Sequence, residues 1–468
     1  MKGRSHHVLA STAAVAALTV LGACSSLAPP YQTPAAPVAT QFPVAPPSDA
    51  GPAATERPWR SFFGADARLV QLIDLALRNN RDLRVAVLNI ETARAQLGLR
   101  EADQWPTVNA VATATRQPGA SGRISSTYTA GLAISAWELD FFGRVRSATD
   151  VALAQLAATT DAREAAHTAL IAAVANAHFA LAADDELIAL TRAALTSRDE
   201  SLRLMRLRFD NGASSELDWR AAQTAVEAAR GALIAFERQR LLDRNALVLL
   251  IGQPLPEGRP DPLPARAAWN PQLLADVPAG LPPEVLLARP DVRQAENALR
   301  AANANIGVAR AAFWPRITLT GSIGAASTEL SQLFSNGMAW SFAPQLLAPI
   351  FDAGRNRASL ALTQAQRDIA VAQYERAVQA AFRDVADALA GRATLSEQLA
   401  SARTLAEAEG QRYKLTELRL RNGIASSLEL LDAQRSLLSA QQQRLQTELA
   451  LLQNRIAAYR ALGGGWGP

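Results

Sequence analysis

The residues best able to do chemistry are few, and their spacing does not suit catalysis. His6 and His7 lie in the first ten residues. His167 and His178 sit eleven apart on one predicted helix, with no cysteine or carboxylate cluster to complete a metal site. They read as packed or interfacial side chains. Cys24 is the only cysteine, so no intrachain disulfide can form. No phosphate-cradling loop, nucleophile motif or glycine-rich dinucleotide turn is present. The sequence therefore predicts no enzyme activity, no nucleotide use and no cofactor. What remains is an acidic pair, Glu429 and Asp432, with Arg435 one turn beyond. Spaced at i, i+3 and i+6, the three share one helix face. By spacing alone that is a solvated face, and any further role depends on where the helix begins.

The helix begins at a repeated break. LRFDNGASSELDWRAAQ (Leu207–Gln223) and LRLRNGIASSLELLDAQ (Leu418–Gln434) align without a gap. Asn211-Gly212 pairs with Asn422-Gly423, Ser215 with Ser426, Leu217 with Leu428, and Asp218 with Glu429; Ala221 stands opposite Asp432. Asn and Gly tolerate the left-handed backbone that ends a helix. Ser214 or Ser215, and Ser426 or Ser427, can cap the next one. Each break reads as the tip of a helical hairpin.

Composition fits long helices. The chain has 468 residues and is 49% hydrophobic but only 6% aromatic. Ala, Leu, Gln, Arg and Glu dominate. Lysine occurs only at Lys2 and Lys414, and the net charge is +4. No basic cluster interleaved with aromatics supports nucleic-acid binding. Helices are predicted over 66–104, 144–210, 213–251, 290–313 (or from 284), 355–421 and 425–460. Val174, Leu181, Ile188, Leu195, Leu202 and Phe209 recur every seven residues, as do Leu431, Leu438, Leu445, Leu452 and Tyr459. A sustained seven-residue period implies left-handed supercoiling. A helix over 144–210 is roughly 100 Å long, which no single globular core covers. Two short helices end to end would match one long helix, and each half of the chain repeats this. The halves are 59–252 and 284–462, joined by a linker over 253–283 and followed by a tail over 463–468. A plain coiled-coil stalk shows the same periodicity.

Strand-like segments interrupt the helices at about 107–137 and 316–350. Tyr128, Ala130, Leu132 and Ile134 alternate with small or polar residues, as do Ile317, Leu319 and Ile323. Their length of about ten residues suits a transmembrane strand. A half-buried soluble sheet would look similar. Four strands cannot close, because barrels need about eight or more. In lipid an open edge strands unpaired backbone groups. Two copies would give eight strands and three would give twelve.

At the N-terminus, Lys2 and Arg4 precede an apolar run from about Val8 to Leu21, too short to be a membrane span. Residues 1–23 read as a secretory signal. Leu21-Gly22-Ala23-Cys24 resembles a bacterial lipobox, which makes Cys24 the acceptor of a diacylglycerol and a fatty acyl chain. Ser25 and Ser26 follow it, and this resembles lipoproteins sorted to the outer membrane. Ala28–Pro58 holds nine prolines and reads as an extended tether.

Taken in order, these segments resemble the TolC-like outer-membrane efflux factors of the NodT/OprM type, which serve resistance-nodulation-division (RND) pumps. The carriers are WRSFFGADARLVQLIDLALRNNRDL (59–83), LPPEVLLARPDVRQAENALRAANANIGVARAAFWPRITLTGSIG (281–324), the two tips, LLDAQRSL (430–437) and LGGGW (462–466). The resemblance implies an α+β membrane protein: a homotrimer with a shared 12-stranded β-barrel, a long periplasmic α-helical barrel and an internal two-fold repeat. It implies a passive exit duct in the outer membrane, working with a periplasmic membrane-fusion adaptor and an inner-membrane RND-type transporter. Export of heavy metals or protein is the alternative. The periplasmic gate would comprise Leu428 as an apolar plug, Glu429, Asp432 and Arg435, with Asp218 at the first tip. Carboxylates from three copies would crowd there, bind cations or titrate above an isolated side chain. Where some members carry an Arg that touches a neighbouring chain, this chain has Ala425. The adaptor would meet Asn211, Gly212, Ser215, Asn422, Gly423 and Ser426.

Overall fold

The computed structural model describes residues 26–43, 58–118, 122–255, 274, 283–335 and 337–464. The signal segment, Cys24, tether residues 44–57, most of the expected linker and residues 465–468 lie outside them. The elements are α1 (Trp59–Phe62), α2 (Ala67–Asn79), α3 (Arg81–Ala102), β1 (Val108–Pro118), β2 (Ile124–Leu139), α4 (Arg144–Asp210), α5 (Glu216–Ile251), α6 (Pro290–Ala311), β3 (Arg316–Ser327), β4 (Ala339–Leu347), α7 (Arg355–Arg421) and α8 (Ser427–Ala461). Short 3₁₀ turns span Pro283–Ala288 and Leu330–Gln332.

Both long helices start at the same punctuation. Gly143 and Gly354 adopt positive φ, which a side chain would strain, and Arg144 and Arg355 follow. Asp140 accepts from the Arg146 amide, and Asp352 from the Gly354 and Asn356 amides. A carboxylate at a helix N-terminus satisfies orphan donors and complements the dipole. The helix expected over 66–104 is instead two. Asn80 breaks it: its Oδ1 accepts from the Leu83 amide and its Nδ2 donates to the Leu250 carbonyl. That capping chemistry competes with a continuous helix.

The chain divides into two compact units. One comprises Met1–Ala36, Leu88–Asp161 and Arg293–Arg376. It carries an antiparallel sheet in the order β1-β2-β3-β4. Val108 faces Ile134, Leu132 faces both Ala110 and Ile323, and Ile323 faces Trp340. These apolar residues share one face. On the other, Thr113 meets Thr129 at 2.5 Å and Ser322 meets Ser341 at 2.7 Å through their hydroxyls. The sheet presents an apolar face and a hydroxyl face, as a barrel wall between lipid and water requires. A bulge shifts the β2–β3 register between Ile134 and Trp137, where Ala136 has φ 50°. β1 and β4 are exposed along their whole length.

The start of the proline-rich segment, residues 26–33, is pinned along α6. Arg310 donates to the Leu27 carbonyl at 3.1 Å and Asn303 to the Pro29 carbonyl at 2.8 Å. Tyr31 and Thr33 both donate to Glu296. Ser26 meets Ser147 at 3.1 Å, and Gly307 makes room because a Cβ there would strike Ala28.

The second unit comprises Pro37–Val87, Ala162–Val292 and Ala377–Pro468. Its core gathers segments far apart in sequence. Phe62 stacks on Tyr459 at 4.1 Å, with Phe63 edge-on at 6.1 Å. The Arg289 side chain is only 5% exposed; it pairs with Asp291 at 2.6 Å and Asp384 at 3.4 Å. It also donates to the Ala461 carbonyl at 2.9 Å, so the buried charge is both paired and hydrogen-bonded. Buried His178 bonds the α2 cap Asp66 at 2.9 Å, a structural role.

Candidate gate and docking tips

Both hairpin tips lie in the second unit and share one construction. Asn211 and Asn422 each fold their side-chain amide back onto a carbonyl four residues earlier, Leu207 at 2.7 Å and Leu418 at 2.8 Å. Gly212 and Gly423 take φ of 71° and 73°. The next amides return to Arg208 and Arg419 carbonyls at 2.7 and 2.8 Å, closing each helix in a Schellman-like turn. Ser215 and Ser426, rather than Ser214 and Ser427, then cap α5 and α8 in full capping boxes.

Those boxes give Asp218 and Glu429 a role that spacing alone did not reveal. Each is the N3 residue whose carboxylate reaches back to the capping serine, at 3.2 Å to the Ser215 amide and 3.3 Å to the Ser426 amide. Hydrogen bonds from Ser215, then from Ser427, hold the Asp218 carboxyl below its usual range. Glu429 also has Arg419 at 4.0 Å. Asp432 pairs with Arg412 at 2.9 Å and with Arg435 at 2.6 Å. Glu429 and Asp432 thus each face a guanidinium of their own hairpin. Leu428 is 68% exposed, and its repeat counterpart Leu217 is 78% exposed. Exposed leucines at both tips are apolar surface without a partner in one chain.

Contacts between the hairpins were not visible in the repeat. Ser427 Oγ donates to Asp218 Oδ1 at 2.7 Å. Buried Gln434 donates to Ser197 and Ser201, both at 3.1 Å, and Ser197 meets the Tyr413 hydroxyl at 3.1 Å. The first tip alone carries an aromatic clamp. Phe209 stacks on Trp219, with Arg206 4.4 Å and Arg220 3.9 Å from the indole centroid. Flanking aromatics around Asn211-Gly212 were the available sequence signal. No group of three or more metal-ligating side chains occurs among the described residues. Cys24 lies outside them.

The profile of the family described as "Outer membrane efflux protein" matches residues 72–253 and 281–464. The chain belongs to this family. Each matched block contains one hairpin tip. The efflux protein is 46% identical over 460 residues to the probable efflux pump outer membrane protein TtgC of Pseudomonas putida, covering 96% of this chain and 94% of that one. It is 44% identical over 470 residues to outer membrane protein OprJ of Pseudomonas aeruginosa, covering 97% and 95%. Among solved structures it resembles the open state of the MtrE outer membrane channel of Neisseria gonorrhoeae, with a TM-score of 0.85, 39% identity, and 94% and 99% of the two chains covered. CusC, described as forming a transmembrane channel, gives a TM-score of 0.84 at 35% identity, covering 94% and 100%. The efflux protein is a channel of the outer membrane, and its four strands are one chain's share of a trimeric barrel.

Proposed function

We propose that this channel is the passive exit duct of a tripartite pump. An inner-membrane RND-type transporter supplies the energy, and a periplasmic adaptor engages the two hairpin tips. The observation that carries this reading is the matched pair of solvent-facing tips, Asn211-Gly212 and Asn422-Gly423, each followed by an exposed leucine. Repeated, rigidly capped ends suit a ring of repeated contacts with a hairpin partner. Relatives named for toluene, solvent and antibiotic efflux favour small apolar and amphipathic cargo. No catalysis is needed for such conduction.

The gate is the set Leu428, Glu429, Asp432 and Arg435, with Asp218 tying the first tip to the second. Around a three-fold axis the leucines plug the bore, and each carboxylate arrives with its own counter-charge from Arg412, Arg419 or Arg435.

Cys24 is the lipid acceptor. The pinned segment runs antiparallel to α6, so Ser26 lies at the α6 end that leads into β3. An acyl chain on Cys24 anchors the protein in the outer membrane. The signal over 1–23 and the proline-rich tether serve this placement.

A photocrosslinker at Asn211 or Asn422 tests the pump assignment. Capture of a periplasmic adaptor from either position supports it. Capture from neither, with trimers intact, overturns it.

A further inference from the structure

We propose that the cavity where β2, β3 and β4 meet the starts of α4 and α7 is a weak waypoint for amphipathic cargo bearing an aromatic ring and an anionic group, with Trp314 taking the ring and Arg355 the charge. The proposal rests on the exit-duct reading and names a cargo class for it.

The cavity has a volume of about 590 Å³, and its lining falls within 138–144, 311–317 and 347–356, all in the first unit. That volume suits a small molecule. It opens on the water side of the barrel wall. Arg316 alternates with Ile317 along β3 and so shares the face of Thr318, Thr320 and Ser322. Glu138 stands opposite Thr318 and Leu347 opposite Arg316, which puts both on that face. A lipid acyl chain has no access from there.

The internal repeat leaves one guanidinium over. Gly143-Arg144 and Gly354-Arg355 hold matching places, and counting back equally sets Glu138 against Pro349. The Glu138 side chain is only 9% exposed and is claimed twice. Arg144 donates to both of its oxygens at 2.8 Å, and Arg316 pairs with it at 2.6 Å. The second copy keeps the arginine but lacks the acid. Arg355 is exposed and forms no ion pair with any described residue. Asp140 and Asp352 also line the cavity, but their carboxylates are turned to helix starts. Asp140 accepts from the Arg146 amide at 2.8 Å, and Asp352 from the Gly354 and Asn356 amides at 2.9 and 2.8 Å. The uncompensated charge in the cavity is therefore positive and sits at Arg355.

The ring has its own seat. Trp314 stacks on Phe142 with centroids 5.1 Å apart and planes 17° from parallel, yet Trp314 remains 50% exposed. A planar ring can extend that stack, while a guanidinium holds a carboxylate by charge-assisted hydrogen bonds. A duct must also release what it binds, so the expected affinity is weak, on the order of millimolar.

The test titrates the detergent-solubilised, full-length trimer with 4-bromobenzoate, and with 4-bromobenzyl alcohol as the uncharged probe. The readout is quenching of tryptophan emission by bromine. The carboxylate is expected to give a saturable quench that disappears in Trp314→Tyr, which keeps a ring on Phe142 but no indole. Arg355→Gln, a surface change, is expected to raise the midpoint roughly tenfold or more, toward that of the alcohol. Absence of a saturable quench, a quench that survives in Trp314→Tyr, or equal midpoints for wild type and Arg355→Gln each overturns the proposal. Binding is read on the isolated trimer, so failure here leaves the crosslinking test of the pump assignment untouched.

Discussion

Ser427 Oγ lies 2.7 Å from Asp218 Oδ1, joining the first turns of α5 and α8 across the two hairpin tips of one chain. The same carboxylate completes the α5 capping box through Ser215. One side chain therefore ends a hairpin and ties it to the other, so changing it should loosen the closed end without touching the barrel.

Ser427→Ala removes only the tie, whereas Asp218→Ala removes the tie and the returning half of the capping box. Single-channel recordings should show more frequent open events for both. Thermal melts should fall further for Asp218→Ala, which also loses the carboxylate's bonds to Ser215. Equal melts would show that the capping box contributes nothing.

The Glu429→Ala/Asp432→Ala double variant is expected to raise conductance and sensitise cells to large antibiotics. It removes the pairs of Arg412 and Arg419 across α7 and α8 and that of Arg435 within α8, while Arg412 keeps its pair with Glu409. Unchanged conductance in intact trimers would count against the gate assignment.

A buried carboxyl sets a pH dependence. Asp184 is 6% exposed, and its carboxyl is raised to about 7. Burial is the main cause, followed by the hydrogen bond with Asp243 and the charges of Asp243 and Asp185, opposed by Arg240. Arg240 is itself bonded to Asp185. The folded pKa lies above the unfolded one, so the folded state holds the extra proton between about pH 4 and 7 and stability falls as pH rises through that window. A tenfold difference in proton affinity between the two states is worth about 1.4 kcal/mol. Asp184→Asn should raise the melting temperature at pH 8 and change it little at pH 4. A larger gain at pH 4 would reverse the sign.

Arg289→Ala should destabilise by about 3–5 kcal/mol, because Asp291 and Asp384 lose a buried partner. Chemical denaturation of the detergent-solubilised protein measures this. A loss below about 1 kcal/mol would make the ion pairs incidental.

Elements with strong local punctuation were legible in the sequence. Gly143, Gly354 and the two Asn-Gly pairs bracket α4 and α7, and the alternation around Leu132 and Ile323 marks strands. The break at Asn80 was not legible, because its capping bond to Leu83 and its bond to Leu250 depend on a tertiary neighbour. The bulge at Ala136 carries no glycine to announce it. At the tips, the repeat located Glu429 and Asp432, and the spacing located Arg435, but the partners Arg412 and Arg419 come from the facing helix α7. The Ser427–Asp218 and Gln434–Ser201 bonds join residues over two hundred positions apart, and no local pattern encodes them.

The central claim is that several chains share one conducting barrel. Planar-bilayer recording of the purified, heat-modifiable trimer tests it most directly. The account predicts stepwise conductance that disappears when heat dissociates the trimer, and that rises in the Glu429→Ala/Asp432→Ala variant. A folded single chain that conducts equally well, or an intact trimer that never conducts even with the gate altered, would contradict it.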